Sequence, residues 1–114
     1  MEKAVNKILS IMVFDKEFVL YKGFDGSFVG ILYTDCGPAD VFPFKEIPYD
    51  ELSCDMVMDA AAIGSTVSVV ARTDEGPDEQ FLDVRVILSP SGKVTHIIVL
   101  DDNLDYHIYE RTDF

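Results

Sequence analysis

The chain has no tryptophan, two cysteines, two histidines and nine cationic side chains against 21 acidic ones in 114 residues. Each scarcity excludes something. Cys36 and Cys54 cannot make the disulfide framework that holds small secreted domains together. A formal net charge of −12 repels polyanions, so direct binding to nucleic acid or to an anionic membrane surface is not expected. No apolar run approaches the length of a membrane span. The run Ile8 to Phe14 follows Lys3 and Lys7 but is closed by Asp15-Lys16-Glu17, with no small-residue cleavage site after it, so a leader peptide is not expected. These absences point to a soluble, cytoplasmic protein.

What is present is a foldable composition. Apolar residues make up 48%, with eight Phe and five Tyr, which separates this chain from disordered acidic tails. Its length suits one domain over residues 1–114. The charge is unevenly spread. Between Asp35 and Asp83 twelve acids face two bases, Lys45 and Arg72, a local net of −10, while the other 65 residues hold nine acids and seven bases.

Val5, Ile8, Leu9 and Met12 recur at helical spacing and predict a helix over residues 2–13, with a strand from about Lys7 as the competing reading because Ile11 to Phe14 is β-rich. Glu17 to Gly23 and Ser27 to Thr34 flank Asp25-Gly26, the signature of a tight hairpin. Asp35 to Pro48 holds three prolines and reads as a long connection. A second helix is expected from about Tyr49 to Ile63, with Leu52, Met56, Ala60 and Ile63 on one face and Gly64 as its stop. Strands are then expected over Thr66 to Thr73, Phe81 to Ser89, Val94 to Leu100 and, as a closing edge, Asp105 to Thr112. The predicted fold is α+β, in the order α-β-β-α-β-β-β-β: an antiparallel sheet of about six strands with two helices packed on one face. In layer pattern alone it resembles sensor and scaffold modules of the PAS or profilin kind, and no family motif accompanies that pattern.

Several constellations invite a chemical reading. On the second helix Glu51, Asp55 and Asp59 lie at successive i, i+4 positions with no cation at that spacing. Such neighbours repel by roughly 0.2–0.5 kcal/mol per pair, so they form either a solvated face or a ridge that meets a basic surface. The loop Asp74, Glu75, Gly76, Pro77, Asp78, Glu79 extends the same field or keeps a hairpin tip in water. Asp101, Asn103 and Asp105 match the first ligands of a calcium loop, but Tyr106 and Thr112 stand where that loop needs Gly and Glu, and a structural turn explains them. His96 and His107 fall in neighbouring predicted strands without metal-ligand spacing. Cys36 sits in a loop that a nucleophile could use, with no helix N-terminus after it to lower its pKa. Gly23, Gly26 and Gly30 belong to a hairpin, not to a phosphate-cradling strand-to-helix turn.

The expected function is therefore a non-enzymatic interaction domain, without metal or cofactor, that binds a protein with a basic surface. Glu51, Asp55, Asp59, Asp74, Glu75, Asp78 and Glu79 would carry recognition, as in an inhibitor, an immunity factor or a nucleic-acid mimic. The competing reading is a small-molecule sensor or scaffold with a pocket between sheet and helices, suggested by the aromatic first half. A homodimer through pairing of Tyr106 to Tyr109 is a further expectation.

Overall fold

Two residues at Asp25-Gly26 turn the chain as their type requires. Gly26 takes φ +87°, the Asp25 carboxylate accepts from the Ser27 N–H at 3.0 Å, and β2 (Lys16–Gly23) pairs antiparallel with β3 (Phe28–Thr34). The computed structural model describes residues 5–113 and corrects the segment before this hairpin. The expected helix over residues 2–13 is instead a strand, β1 (Val5–Val13), paired with β2; residues 2–4 of that reading lie outside the described residues. Leu9, Ile11 and Val13 are buried alternately with exposed Met12, and β-branched residues favour the pleat. The turn is Phe14-Asp15, both at positive φ (50° and 65°). This hairpin geometry usually advertises itself through Asn-Gly or Asp-Gly and here does not.

The proline-rich connection is also a strand, β4 (Gly37–Ile47), lying between β3 and β10 (Tyr106–Arg111). Pro43 costs the sheet little. Its carbonyl accepts from the Thr112 N–H at 3.0 Å. A strand residue points its N–H and C=O to the same side, so the missing N–H faces the end of the β10 ladder and leaves the β3 ladder whole. With β5 (Ser65–Val69), β8 (Phe81–Leu88) and β9 (Val94–Asp101), the main sheet runs β1-β2-β3-β4-β10-β9-β8-β5, antiparallel throughout. A two-residue hairpin, β6 (Arg72–Thr73) and β7 (Gly76–Pro77), stands apart from it. The expected six strands are thus eight. β10 is not the expected closing edge but an interior strand, paired with β9 over Tyr106–Glu110 and with β4 over Ile108–Arg111, so the free edge expected at Tyr106 to Tyr109 is absent at Ile108 and Tyr109.

The sheet curls until β1 lies against β5 and β6, making an open barrel filled by Leu9, Ile11, Phe18, Leu20, Phe44, Val86, Ile97, Val99 and Tyr109. Gly30 marks how tightly it is filled: a Cβ there would collide with the Phe18 ring and come within 2.9 Å of Phe44.

Among the described residues there is one helix, not two: α1 (Glu51–Ile63), on the outer face of the sheet. Asp50 caps it, accepting from the Ser53 N–H at 2.8 Å. Below it a second, smaller core gathers Val57, Cys54, Ala60 and Ala61 of α1 with Ile47, Ile87, Ile98 and Ile108 of the strands. No helix among the described residues is long and apolar enough to cross a membrane.

Candidate functional site

Of the expected inward face only Ala60 packs on the sheet, and the helix is rotated so that the rest of that face is outside. Leu52, Met56 and Ile63 are 71%, 50% and 74% exposed, while Ser53 and Val57 are buried. The cause lies at the helix end. The chain leaves α1 at Gly64 so close to the Leu88 carbonyl that a Cβ on residue 64 would overlap it. With the backbone drawn down on the sheet, only small or slim side chains fit underneath. Ser53, Val57, Ala60 and Ala61 therefore meet the large isoleucines of the strands, and the bulkier set is left in solvent.

At 3.6 residues per turn, Asp55 and Asp59 lie opposite Val57 and point straight away from the sheet. Glu51, Asp55 and Asp59 are all exposed and take part in none of the ion pairs seen among the described residues. Leu52, Met56 and Ile63 run along one side of this ridge and exposed Met58 along the other. At the N-terminal end the apolar surface continues onto Tyr49 and Tyr106, whose rings stack with centroids 4.6 Å apart.

The other acidic group is elsewhere. Asp74 and Glu75 form the tip between β6 and β7, held by the Thr73 hydroxyl, which donates to the Gly76 carbonyl and accepts from the Glu75 N–H. Asp78 and Glu79 follow β7, and Asp78 accepts from the Gln80 N–H. Asp74 and Asp78 line a shallow pocket with Lys7, Ser10 and Arg72 beside β1. The seven acids proposed from sequence thus form two patches, one on α1 and one at the β1 lip.

The α1 flank carrying Ala60 and Ile63 also walls a groove of about 710 Å³, whose residues the sequence reading had not joined. Its floor is one row across three strands: His96 of β9 opposite Glu110 of β10, and Glu110 opposite Lys45 of β4. Ser89, Pro90, Thr95, Thr112 and Arg111 complete it, the Arg111 guanidinium lying over the Phe42 ring and bonded to Asp113. Glu110 receives two long contacts, Lys45 Nζ at 3.7 Å and His96 Nε2 at 3.4 Å. Burial leads in lowering the His96 pKa below its usual value, against the pull of Glu110. Its Nδ1 lies 3.0 Å from the Thr95 hydroxyl.

His107 does not join His96. It is opposite Val99 in the register and so faces the other side of the sheet, where Nε2 meets Asp101 at 2.8 Å and Nδ1 meets Glu46 at 3.2 Å. The hydrogen bond to Asp101 leads in raising its pKa, and the same bond leads in lowering that of Asp101. Burial, with these carboxylates nearby, pushes Tyr109 up to about 12. Asp101 also accepts from the N–H groups of Asn103 and Asp105 at 2.9 Å, so the calcium-like run is a turn. Cys36 is exposed in the β3–β4 turn, and both histidines are occupied with carboxylates rather than with it. No group of three or more His, Cys, Asp or Glu among the described residues is arranged to hold a metal.

No family model matches this chain, and no curated protein or solved structure is detectably similar to it. Its function has to be argued from these surfaces.

Proposed function

We propose that the protein is a non-enzymatic binding domain that uses the outer face of α1 to hold a basic, amphipathic segment of a partner protein. The observation that carries this reading is the orientation of α1, with Leu52, Met56 and Ile63 in solvent beside Glu51, Asp55 and Asp59. Contiguous exposed apolar side chains rimmed by charge are the usual composition of a recognition surface. The charge selects the occupant. A second copy would bring its own ridge against the first, and like charges so placed are penalised, whereas a helix carrying Leu or Met beside Lys or Arg satisfies both strips at once. Asp74, Glu75, Asp78 and Glu79 at the β1 lip extend the negative field and speed encounter without belonging to the contact.

The test is a cross-link from α1 followed by affinity measurement. A photoreactive group at position 58, beside the ridge, is used in the native host to capture neighbours, and each captured protein is titrated against three forms of the chain. Affinity for the true partner falls about tenfold or more in Leu52→Ser/Met56→Ser, falls similarly in Asp55→Lys/Asp59→Lys, and weakens as salt rises. Captured proteins whose affinity ignores both double substitutions would sink the reading.

A further inference from the structure

The groove beneath the C-terminal half of α1 shares Ile63 with the exposed face just described but has its own floor and chemistry. Its volume, about 710 Å³, falls in the range of small-molecule sites, roughly 300–1,000 Å³. Ala60, Ile63 and Pro90 supply apolar wall, Ser89 and Thr95 supply hydroxyls, and the floor presents the Glu110 carboxylate. An ionised carboxylate accepts about four hydrogen bonds, and the protein gives this one only the two long contacts above. Lys45 forms a long ion pair with it, its ammonium 3.7 Å away on a side chain that is 60% exposed, and burial leads in lowering the His96 pKa, so the closest cation is one that can swing away into water. The Glu110 side chain is itself only 23% exposed, so water screens it poorly.

The sign of the ligand follows. An anion would meet Glu110 on the floor and the field of a chain with net charge −12 on approach. A neutral polar molecule would give the carboxylate no cation closer than Lys45 at 3.7 Å. We infer that the groove is a binding site for an organic cation, an ammonium or guanidinium group carried on a compact apolar body, with the cation on Glu110 and the body between Ile63, Ala60 and Pro90. His96 positions Glu110 from below through Nε2, and Lys45 is the competitor that the ligand's cation displaces. That cationic group arrives either on a free amine or on a side chain of a bound protein, and the two sources differ in the experiment below.

The probes are 2-phenylethylamine, the uncharged 2-phenylethanol and the anionic 3-phenylpropionate, titrated calorimetrically into the wild-type chain and into Glu110→Gln and Lys45→Gln. The amine binds, with the alcohol and the acid weaker by about tenfold or more, the difference of one charge-assisted hydrogen bond. Glu110→Gln removes that preference, and Lys45→Gln tightens the amine, a gain that general damage to the fold would not produce. In Asp55→Lys/Asp59→Lys the amine is weakened only by the smaller negative field and keeps its preference over the alcohol, so the effect of Glu110→Gln on that preference distinguishes this site from the α1 face. A helical peptide of Leu and Lys is the second arm. Amine binding that the peptide does not displace assigns the site to a free amine; peptide binding that needs Glu110, with no binding of the amine, assigns it to a protein side chain. Equal binding of amine and alcohol, a preference that survives Glu110→Gln, or no binding in either arm overturns the inference.

Discussion

The two faces of the curled sheet are built on opposite plans. The inner face is filled with large side chains in close contact, Phe18 lying edge-on to Phe44 at 5.9 Å between centroids with Gly30 making room for both rings. Its one imidazole, His107, is gripped by two carboxylates. The outer face puts small helix residues over the strand isoleucines, sends its bulky helix residues into solvent and holds its imidazole, His96, with a pKa lowered by burial, beside a groove. The close approach of Gly64 to the Leu88 carbonyl leaves room beneath α1 for small side chains only, so Leu52 and Met56 stay outside. The inner face carries the larger core, and the outer one leaves an apolar stripe and an acidic ridge in solvent.

Truncation on the inner face should therefore have the largest effect. Phe18 is fully buried, and Phe18→Ala should cost about 3–5 kcal/mol of unfolding free energy. Val57→Ala beneath the helix removes two methyl groups and should cost about 1–2 kcal/mol. Urea denaturation of both variants measures the difference. If Val57 proved the costlier, the helix face would be the main core and the contrast would collapse.

How much of this could be read from the chain depended on whether the signal was local. The Asp25-Gly26 hairpin and the strands Phe81–Leu88 and Val94–Asp101 carry their evidence in adjacent residues and are found where expected. The first segment was misjudged because Val5, Ile8, Leu9 and Met12 fit a helical period, while the turn that makes them a strand uses Phe14 and Asp15 at positive φ. Pro43 argued against a strand because the direction of its missing N–H shows only in its pairing with a distant neighbour, Thr112. Helix α1 was located correctly but rotated. Hydrophobicity favoured Leu52 and Met56 as the buried face, whereas the close approach at Gly64 and Leu88 selects by size. The groove was invisible for a simpler reason. Lys45, His96 and Glu110 are brought together only by strand register, although Glu110, two residues after buried Ile108, does break an apolar alternation.

The two histidines should divide the pH dependence between the faces, with opposite signs. His107 has a folded pKa above 6.5, so its stabilisation is complete below 6.5 and is lost as pH rises through the raised folded value. Asp101, held below 3.8, contributes above 3.8 and loses that contribution as pH falls through its lowered folded value. The pair therefore stabilises most between about 3.8 and 6.5. His96 runs the other way. Its folded pKa is lowered by burial, so acidification below 6.5 charges the unfolded chain first and destabilises the fold. Denaturation midpoints at about pH 5 and about pH 8 should show His107→Gln more harmful at the lower pH and His96→Gln more harmful at the higher. The same sign for both would mean that the two imidazoles occupy equivalent environments.

The smallest effect on stability is the most informative about function. Leu52 and Met56 are the residues that a hydrophobicity argument would bury, and a pair of buried residues of this kind would lose about 2–5 kcal/mol each on truncation. With 71% and 50% of their surface in water, they give little to the fold. Leu52→Ser/Met56→Ser should move the unfolding free energy by no more than about 0.5 kcal/mol per site, and a few tenths of that reflect the lower helix propensity of serine. Solubility should improve, since two apolar side chains leave the surface. A large loss of stability would show α1 rotated in solution, with the stripe inside and the acidic ridge displaced, and would remove the surface on which partner binding is argued. A small loss accompanied by loss of a partner would show the stripe exposed in order to be covered.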